Sequence, residues 1–178
     1  MFEFKSLSLI PGYEDYVNHE MNINGVLRNN KTGLLRKWCS DTKGYLQCYV
    51  HMNSKRKLVQ QHRAIALLFI SNPLNKPLVD HINGVVNDNR VDNLRWCTRS
   101  ENGCNSKTPC TNHVGYKNIR KECKRGKRWY WRITVNINGK LTEKYFRCDE
   151  DDTEPPAEVI AVRDQMLVDL HGDFARVL

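Results

Sequence analysis

The stretch from Leu78 to Asn105, LVDHINGVVNDNRVDNLRWCTRSENGCN, constrains folding more than any other part of the chain. A short apolar run, Leu78-Val79, closes on Asp80-His81, and a second opens at Asn93 with Leu94 and Trp96. Between them lie Asn83, Gly84, Asn87, Asp88, Asn89 and Asp92, residues that bend a backbone or satisfy it locally, so a long hairpin connection is predicted and a helix is not. After Trp96 the period changes. Thr98 with Glu101 three residues on has the form of a capping box, which would start a helix. The predicted order is strand, loop, strand, helix, with Asn102 and Asn105 on one helix face at i and i+3.

The polar residues on this frame suit metal-assisted phosphodiester hydrolysis, in which a hard divalent cation neutralises the leaving oxygen while an imidazole takes the proton of the attacking water. Asp80 and Asn102 offer oxygen ligands, which suit magnesium or manganese better than zinc. His81 can accept a proton near neutral pH. Asn93 could hold the His81 ring in its reactive tautomer. Taken singly, each of these residues could equally be satisfying loop backbone. Their order and combination favour chemistry.

Those residues carry a resemblance. The segment is similar to HNH nucleases of the phage and intron homing type, whose ββα-metal motif reads DH, then NLRW, then EN. His81, Asn93 and Asn102 fall on its three letters, the third being one where Asn often replaces His. The resemblance implies Asp80 and Asn102 as metal ligands, His81 as general base and Asn93 as the residue that positions it. It extends upstream through IPGYEDYVNHEMNINGVLRN, GYLQCYV and HRAIALLFISNPLNKP. The Gly-Asn pair usual after DH is altered here to Gly84-Val85-Val86-Asn87.

Composition agrees with a polyanionic partner, since the 178 residues carry a formal net charge of +8. The length lies between one domain and two. The longest uninterrupted apolar run, Ala64 to Ile70, is too short to span a bilayer, so no membrane association is expected. Seven cysteines without a CxxC pair do not read as a disulfide framework. A soluble protein of a reducing compartment is expected, the host cytoplasm if the gene is phage-borne. Cys97, Cys104, Cys110 and Cys123 surround the predicted nuclease helix, but their spacing lacks the tight pairs that begin a zinc site, and zinc is not expected.

Ahead of the motif, residues 10–59 read as short strands with turns, among them Asn24-Gly25 and the alternating segment that follows Gly44. Lys55 and Lys57, in a predicted basic loop with Arg56, could touch phosphate; a solvated charge run is the alternative. Residues 60–70 read as an apolar-faced helix ended by Asn72-Pro73, with His62 as a capping or packing residue.

Beyond Thr108-Pro109 the composition shifts. Residues 111–148 hold eleven Lys and Arg against two Glu, more than the excess charge of the whole chain. From Arg128 to Ile137 the pattern alternates, with Trp129, Trp131, Ile133, Val135 and Ile137 on one face. Asn138-Gly139 then predicts a hairpin turn. After an acidic linker, Pro155-Pro156 opens a helix with apolar residues at Ile160, Ala161, Leu167 and Val168 that stops at Gly172. Three strands and a helix resemble the ethylene-response-factor, or Apetala-type, DNA-binding domain, on GYKNI at 115–119, WYWRITVNINGK at 129–140 and RDQMLVDLHGDFA at 163–175. That resemblance implies base contacts from the outer face of the sheet, here Asn118, Arg120, Tyr130, Arg132, Thr134, Lys140 and Thr142. A sheet that only holds phosphates is the alternative.

The chain is therefore read as α+β. A β-rich module with an HNH ββα-metal motif occupies residues 1–108, and a three-stranded antiparallel sheet packed on one C-terminal helix occupies 109–178. The expected function is site-specific, homing-type cleavage of double-stranded DNA with one magnesium or manganese ion by a monomer. The alternatives are a DNA-binding regulator without cleavage and a restriction or host-degrading nuclease of low specificity.

Overall fold

The structure, a computed structural model, describes residues 3–106, 108, 112–126, 128–137 and 140–175, and the side chain of Ile137 is outside the description. The chain divides into two compact units, Met1–Thr98 and Arg99–Leu178.

In the first unit, strands β1 (Phe4–Ser6), β2 (His19–Asn22) and β3 (Leu27–Asn29) form one antiparallel sheet. β4 (Cys39–Ser40), β5 (Leu46–Met52) and β6 (Lys55–Gln60) form a second. The β2–β3 turn is built as its sequence predicts. The Asn22 side chain accepts from the backbone of Asn24 (3.1 Å) and Val26 (2.9 Å), and Gly25 takes φ +75°, a left-handed conformation that only glycine adopts without strain. Helix α1 (Gln61–Phe69) follows β6 directly and buries Ala64, Ile65 and Leu68 against Leu7, Ile10, Met21, Val50 and Val59. Strands β7 (Leu78–His81) and β8 (Leu94–Cys97) pair as an antiparallel hairpin, with Asp80 opposite Arg95 and His81 opposite Leu94. This hairpin is fastened to α1. Trp96 Nε1 donates to the Ile70 carbonyl at 3.0 Å, and Arg63 Nη1 donates to the Pro77 carbonyl at 2.6 Å with its guanidinium over the Trp96 ring.

The second unit begins with α2 (Arg99–Cys104), directly after Thr98. The division therefore falls ahead of the expected border at residue 108. The reason is local: the ammonium of Lys117 reaches the carbonyls of Gly103 (3.0 Å), Cys104 (2.8 Å) and Ser106 (2.8 Å), and so ties the end of α2 into the second unit. Strands β9 (Ile119–Lys124), β10 (Arg128–Ile137) and β11 (Lys140–Cys148) form an antiparallel sheet with β10 in the middle, packed on α3 (Ala157–His171). Ile119, Trp131, Ile133 and Val135 meet Val159, Met166 and Leu167 in its core. The buried face of α3 is not the predicted one. Of the predicted apolar positions only Leu167 is fully buried, alongside Val159, Met166 and Arg163, whose guanidinium lies 5.6 Å from the centre of the Tyr116 ring and beside Asp164. An arginine can lay its stem along an apolar surface, which periodicity of apolar letters does not register. The helix ends at Gly172, φ +52°, as expected. The predicted turn Asn138-Gly139 and Cys110 lie outside the described residues. Among the described residues no helix is long and apolar enough to cross a membrane.

Candidate active site and nucleic-acid interface

The β7–β8 hairpin puts Asp80 and His81 side by side at the end of a strand, and both are buried, at 6% and 5% exposure. Asp80 faces Arg95 across the ladder, and Arg95 Nε and Nη2 both lie 2.9 Å from Asp80 Oδ2. A buried carboxylate needs such a countercharge or a cation, because burial strips its hydration. His81 Nε2 is 2.8 Å from Asn89 Oδ1. The His81 ring packs among aromatic neighbours, 5.4 Å from His62 and 6.0 Å from Tyr45 between ring centres. Burial, then the charges of His81 and Arg63, push the His62 imidazole down to about 4, so it stands beside His81 as a neutral wall.

Asn93 has a different part from the one expected of it. Its Oδ1 accepts from Asn83 N at 3.0 Å, its Nδ2 donates to Asn83 Oδ1 (3.0 Å) and to the Asp88 carbonyl (2.7 Å), and its own carbonyl accepts from Ile82 N at 2.9 Å. It staples the two ends of the loop just beyond His81, whereas the amide on the imidazole is that of Asn89. Any influence of Asn93 on His81 runs through the loop backbone. Sequence reasoning missed Asn89 as a site residue because it lies among five other turn formers of the same loop. Its burial to 8% marks it out only once the fold is known.

Asn102 lies on α2 in the second unit and is exposed. Oxygen donors are the common chemistry of Asp80 and Asn102, and they fit a hard divalent cation. Among the described residues no group of three or more His, Cys, Asp and Glu side chains is arranged to hold a metal, so a cation at Asp80 would have to complete its shell with amide, water or phosphate oxygens.

The outer face of the C-terminal sheet is set by register. Arg132 is opposite Arg120 on β9 and Tyr145 on β11, and Thr134 is opposite Glu143. Arg120, Tyr130, Arg132 and Thr134 therefore share the face away from the core. Asn118, Arg120, Arg132 and Thr134, with Ser106, Asn112 and Lys117, line one hollow of about 370 Å³. Lys140 and Thr142 do not belong to this face. They pair with Ile137 and Val135, so the register of the hairpin turns them to the core side, contrary to expectation. Asn118 serves the backbone: at φ +68° its carbonyl accepts from Thr134 N (2.9 Å) and its Nδ2 donates to the Thr134 carbonyl (2.7 Å).

Two acidic residues, Glu122 and Glu143, counted in the sequence but not placed by it, lie on this face. Arg132 Nε lies 3.0 Å from Glu143 Oε1, its Nη2 bonds the same oxygen, and its Nη1 lies 3.2 Å from Glu122 Oε2. Tyr145 donates to Glu143 at 2.9 Å, and the Lys124 ammonium sits 3.3 Å from the centre of the Tyr145 ring. Glu143 is held below the usual carboxylate range, chiefly by its hydrogen bonds from Arg132 and Tyr145. Arg120 is exposed and makes no ion pair among the described residues, so unlike Arg132 it is open to a ligand. In the first unit, Lys55 and Lys57 stand on β6 and not in a loop. Lys55 lies 3.6 Å from Asp15, while Lys57 donates to the Gly12 carbonyl and covers the Tyr13 ring. The hairpin turns at Asn53-Ser54, both at positive φ, so strand pairing resumes at Lys55 and leaves no loop for the basic residues to occupy.

Residues 62–104 match the sequence profile of a family described as HNH endonuclease. The chain is similar to two uncharacterized HNH endonucleases of Acanthamoeba polyphaga mimivirus. L245 is 36% identical over 85 residues, 48% of this chain and 26% of the relative, and L247 is 38% identical over 98 residues, 52% and 23% respectively. The chain thus spans about a quarter of the length of these two relatives. It is also 36% identical over 98 residues to Protein 3.8 of Escherichia phage T7, covering 55% of this chain and 73% of that protein. Among solved structures, the HNH homing endonuclease I-HmuI, in a study of its DNA binding and cleavage, superposes with a TM-score of 0.52 over 80% of this chain and 77% of that one. At 21% identity that likeness is one of fold. The family profile covers the residues that build the Asp80–His81 hairpin, the phage protein is matched along most of its length, and the chain belongs to the HNH endonuclease family.

Proposed function

We propose that this chain is a site-specific DNA endonuclease of the homing type, which cuts through its HNH hairpin and finds its target with its C-terminal sheet. One observation carries the reading: a buried imidazole, His81, held by an amide at one nitrogen and next in sequence to a buried carboxylate, Asp80, at the end of a hairpin strand. His81 is the general base. It takes a proton from water, the resulting hydroxide oxygen bonds to phosphorus, and the P–O bond to the leaving nucleotide oxygen breaks with its electron pair. Asn93 keeps the loop after His81 in shape through its bonds to Asn83 and Asp88. HNH nucleases generally depend on a divalent metal, which Asp80 would hold; the family motif assigns Asn102 as a second ligand, by its place within the matched residues 62–104. Magnesium or manganese bound there supplies positive charge for the leaving oxygen. When no cation is present, Arg95 balances Asp80.

Target location falls to the outer face of the three-stranded sheet, in the manner its Apetala-type pattern implies. Arg120, Tyr130, Arg132 and Thr134 present hydrogen-bonding groups there, and a sheet can enter the major groove. The likeness to I-HmuI supports the same overall plan. The experiment is cleavage of random-sequence duplex DNA with magnesium, followed by sequencing of the ends. Ends gathered at one motif are expected. Evenly scattered ends would make this a nuclease of low specificity, and stable binding without any metal-dependent cutting would make it a regulator.

A further inference from the structure

The amide that holds His81 is itself the last link of a chain of hydrogen bonds whose direction can be read without ambiguity. Its far end is a backbone carbonyl, that of Gly25, which can only accept. Gln61 Nε2 lies 3.1 Å from this oxygen and must therefore donate to it, alongside Trp38 Nε1 at 2.9 Å. The carboxamide of Gln61 is thereby oriented, and its Oε1 accepts from Asn89 Nδ2 at 2.7 Å. That orients Asn89 in turn, so its Oδ1 faces His81 Nε2 at 2.8 Å as an acceptor. An acceptor at that distance requires the proton of the neutral imidazole to be on Nε2.

We infer that Gly25, Gln61 and Asn89 are positioning residues that fix His81 as its Nε2–H tautomer. The inference deepens the reading of His81 as the base, and rests on that reading for its catalytic meaning. Gln61 and Asn89 are both buried, at 7% and 8%, so their hydrogen bonds to each other and to Gly25 hold the two amides in orientation. The turn at Gly25 is part of the device. A Cβ there would lie 2.5 Å from Gln61 Nε2, and φ is +75°, so only glycine lets the carbonyl and the glutamine approach each other. The β-rich module ahead of the hairpin thus has a part in the chemistry: its β2–β3 turn sets the proton on a ring belonging to β7. Nothing in the local sequence around His81 reveals this, because the residues that decide it come from three separate segments.

The test is nitrogen NMR of the full-length, metal-free protein labelled with 15N-histidine, which reports the tautomer of each neutral ring independently of cleavage. His81 is expected as a single Nε2–H form in the wild type. Gln61→Ala, which does not touch His81, should give a mixture of tautomers. At saturating DNA, Gln61→Ala should slow cleavage by about 10- to 100-fold with unchanged DNA affinity. A wild-type His81 found as the Nδ1–H form overturns the inference and needs no variant, as does a folded Gln61→Ala protein whose His81 tautomer is unmoved. If the tautomers behave as expected yet His81→Ala still cuts DNA at full rate, the assignment of the base fails while the relay stands.

Discussion

Two buried residues, Asp80 and His62, make claims that stability measurements can reach. Removing one partner of a buried ion pair leaves the other charge uncompensated, at a cost of about 3 to 5 kcal/mol. Arg95→Ala should therefore destabilise the metal-free protein by about 3 kcal/mol in urea denaturation, and magnesium should recover part of the loss by taking over the charge of Asp80. A loss under about 1 kcal/mol would mean that Asp80 is balanced elsewhere. His62 makes a claim about pH. Its folded-state value, about 4, is depressed below the ordinary 6.5, so its contribution is present in full above 6.5 and is lost as pH falls towards 4. At 1.36 kcal/mol per pH unit this amounts to about 3 kcal/mol. His62→Phe should flatten the fall of the thermal midpoint between pH 7 and pH 4; an unchanged slope would contradict the buried neutral imidazole.

At the scale of elements, the C-terminal sheet is where the structure changes the expected behaviour most. Arg132 is engaged by Glu143 and Glu122, so DNA must compete with two carboxylates for it, whereas Arg120 is open. Arg120→Ala should lower affinity and reduce the salt slope of binding by about 0.9, the equivalent of one phosphate contact. Glu143→Gln should tighten binding, by releasing Arg132 and removing a like charge from the DNA face. Fluorescence titrations at several salt concentrations measure both, and tighter binding by Arg120→Ala would exclude this face as the interface. Much of this element was legible in sequence: alternation along residues 128–137 identified the core face, and a residue such as Trp131 is buried where its period put it. The side of β11 was not, because alternation fixes which residues share a face within one strand, while register alone decides which face Lys140 and Thr142 join. The hairpin around Asp80 and His81 was legible for a similar reason, its turn formers being so dense. Which of the six asparagine and aspartate side chains in its loop, residues 82–93, reaches the imidazole depends on Gln61 and Gly25, which are distant in sequence, and no local pattern carries that information.

Over the whole molecule, charge is less concentrated than its densest segment suggests. Residues 1–98 hold thirteen Lys and Arg against eight Asp and Glu, and residues 99–178 hold fifteen against twelve, because the acidic linker and α3 offset the basic sheet. A fragment ending at Thr98 should accordingly keep weak, salt-sensitive binding to any duplex while losing preference for a site. The most direct test of the account is His81→Ala, assayed by single-turnover cleavage with magnesium and by binding to the same duplex without metal. Cleavage should fall by roughly 10²- to 10⁴-fold or beyond detection while affinity stays within about twofold. A His81→Ala protein that cuts at the wild-type rate under the same metal dependence would contradict the account.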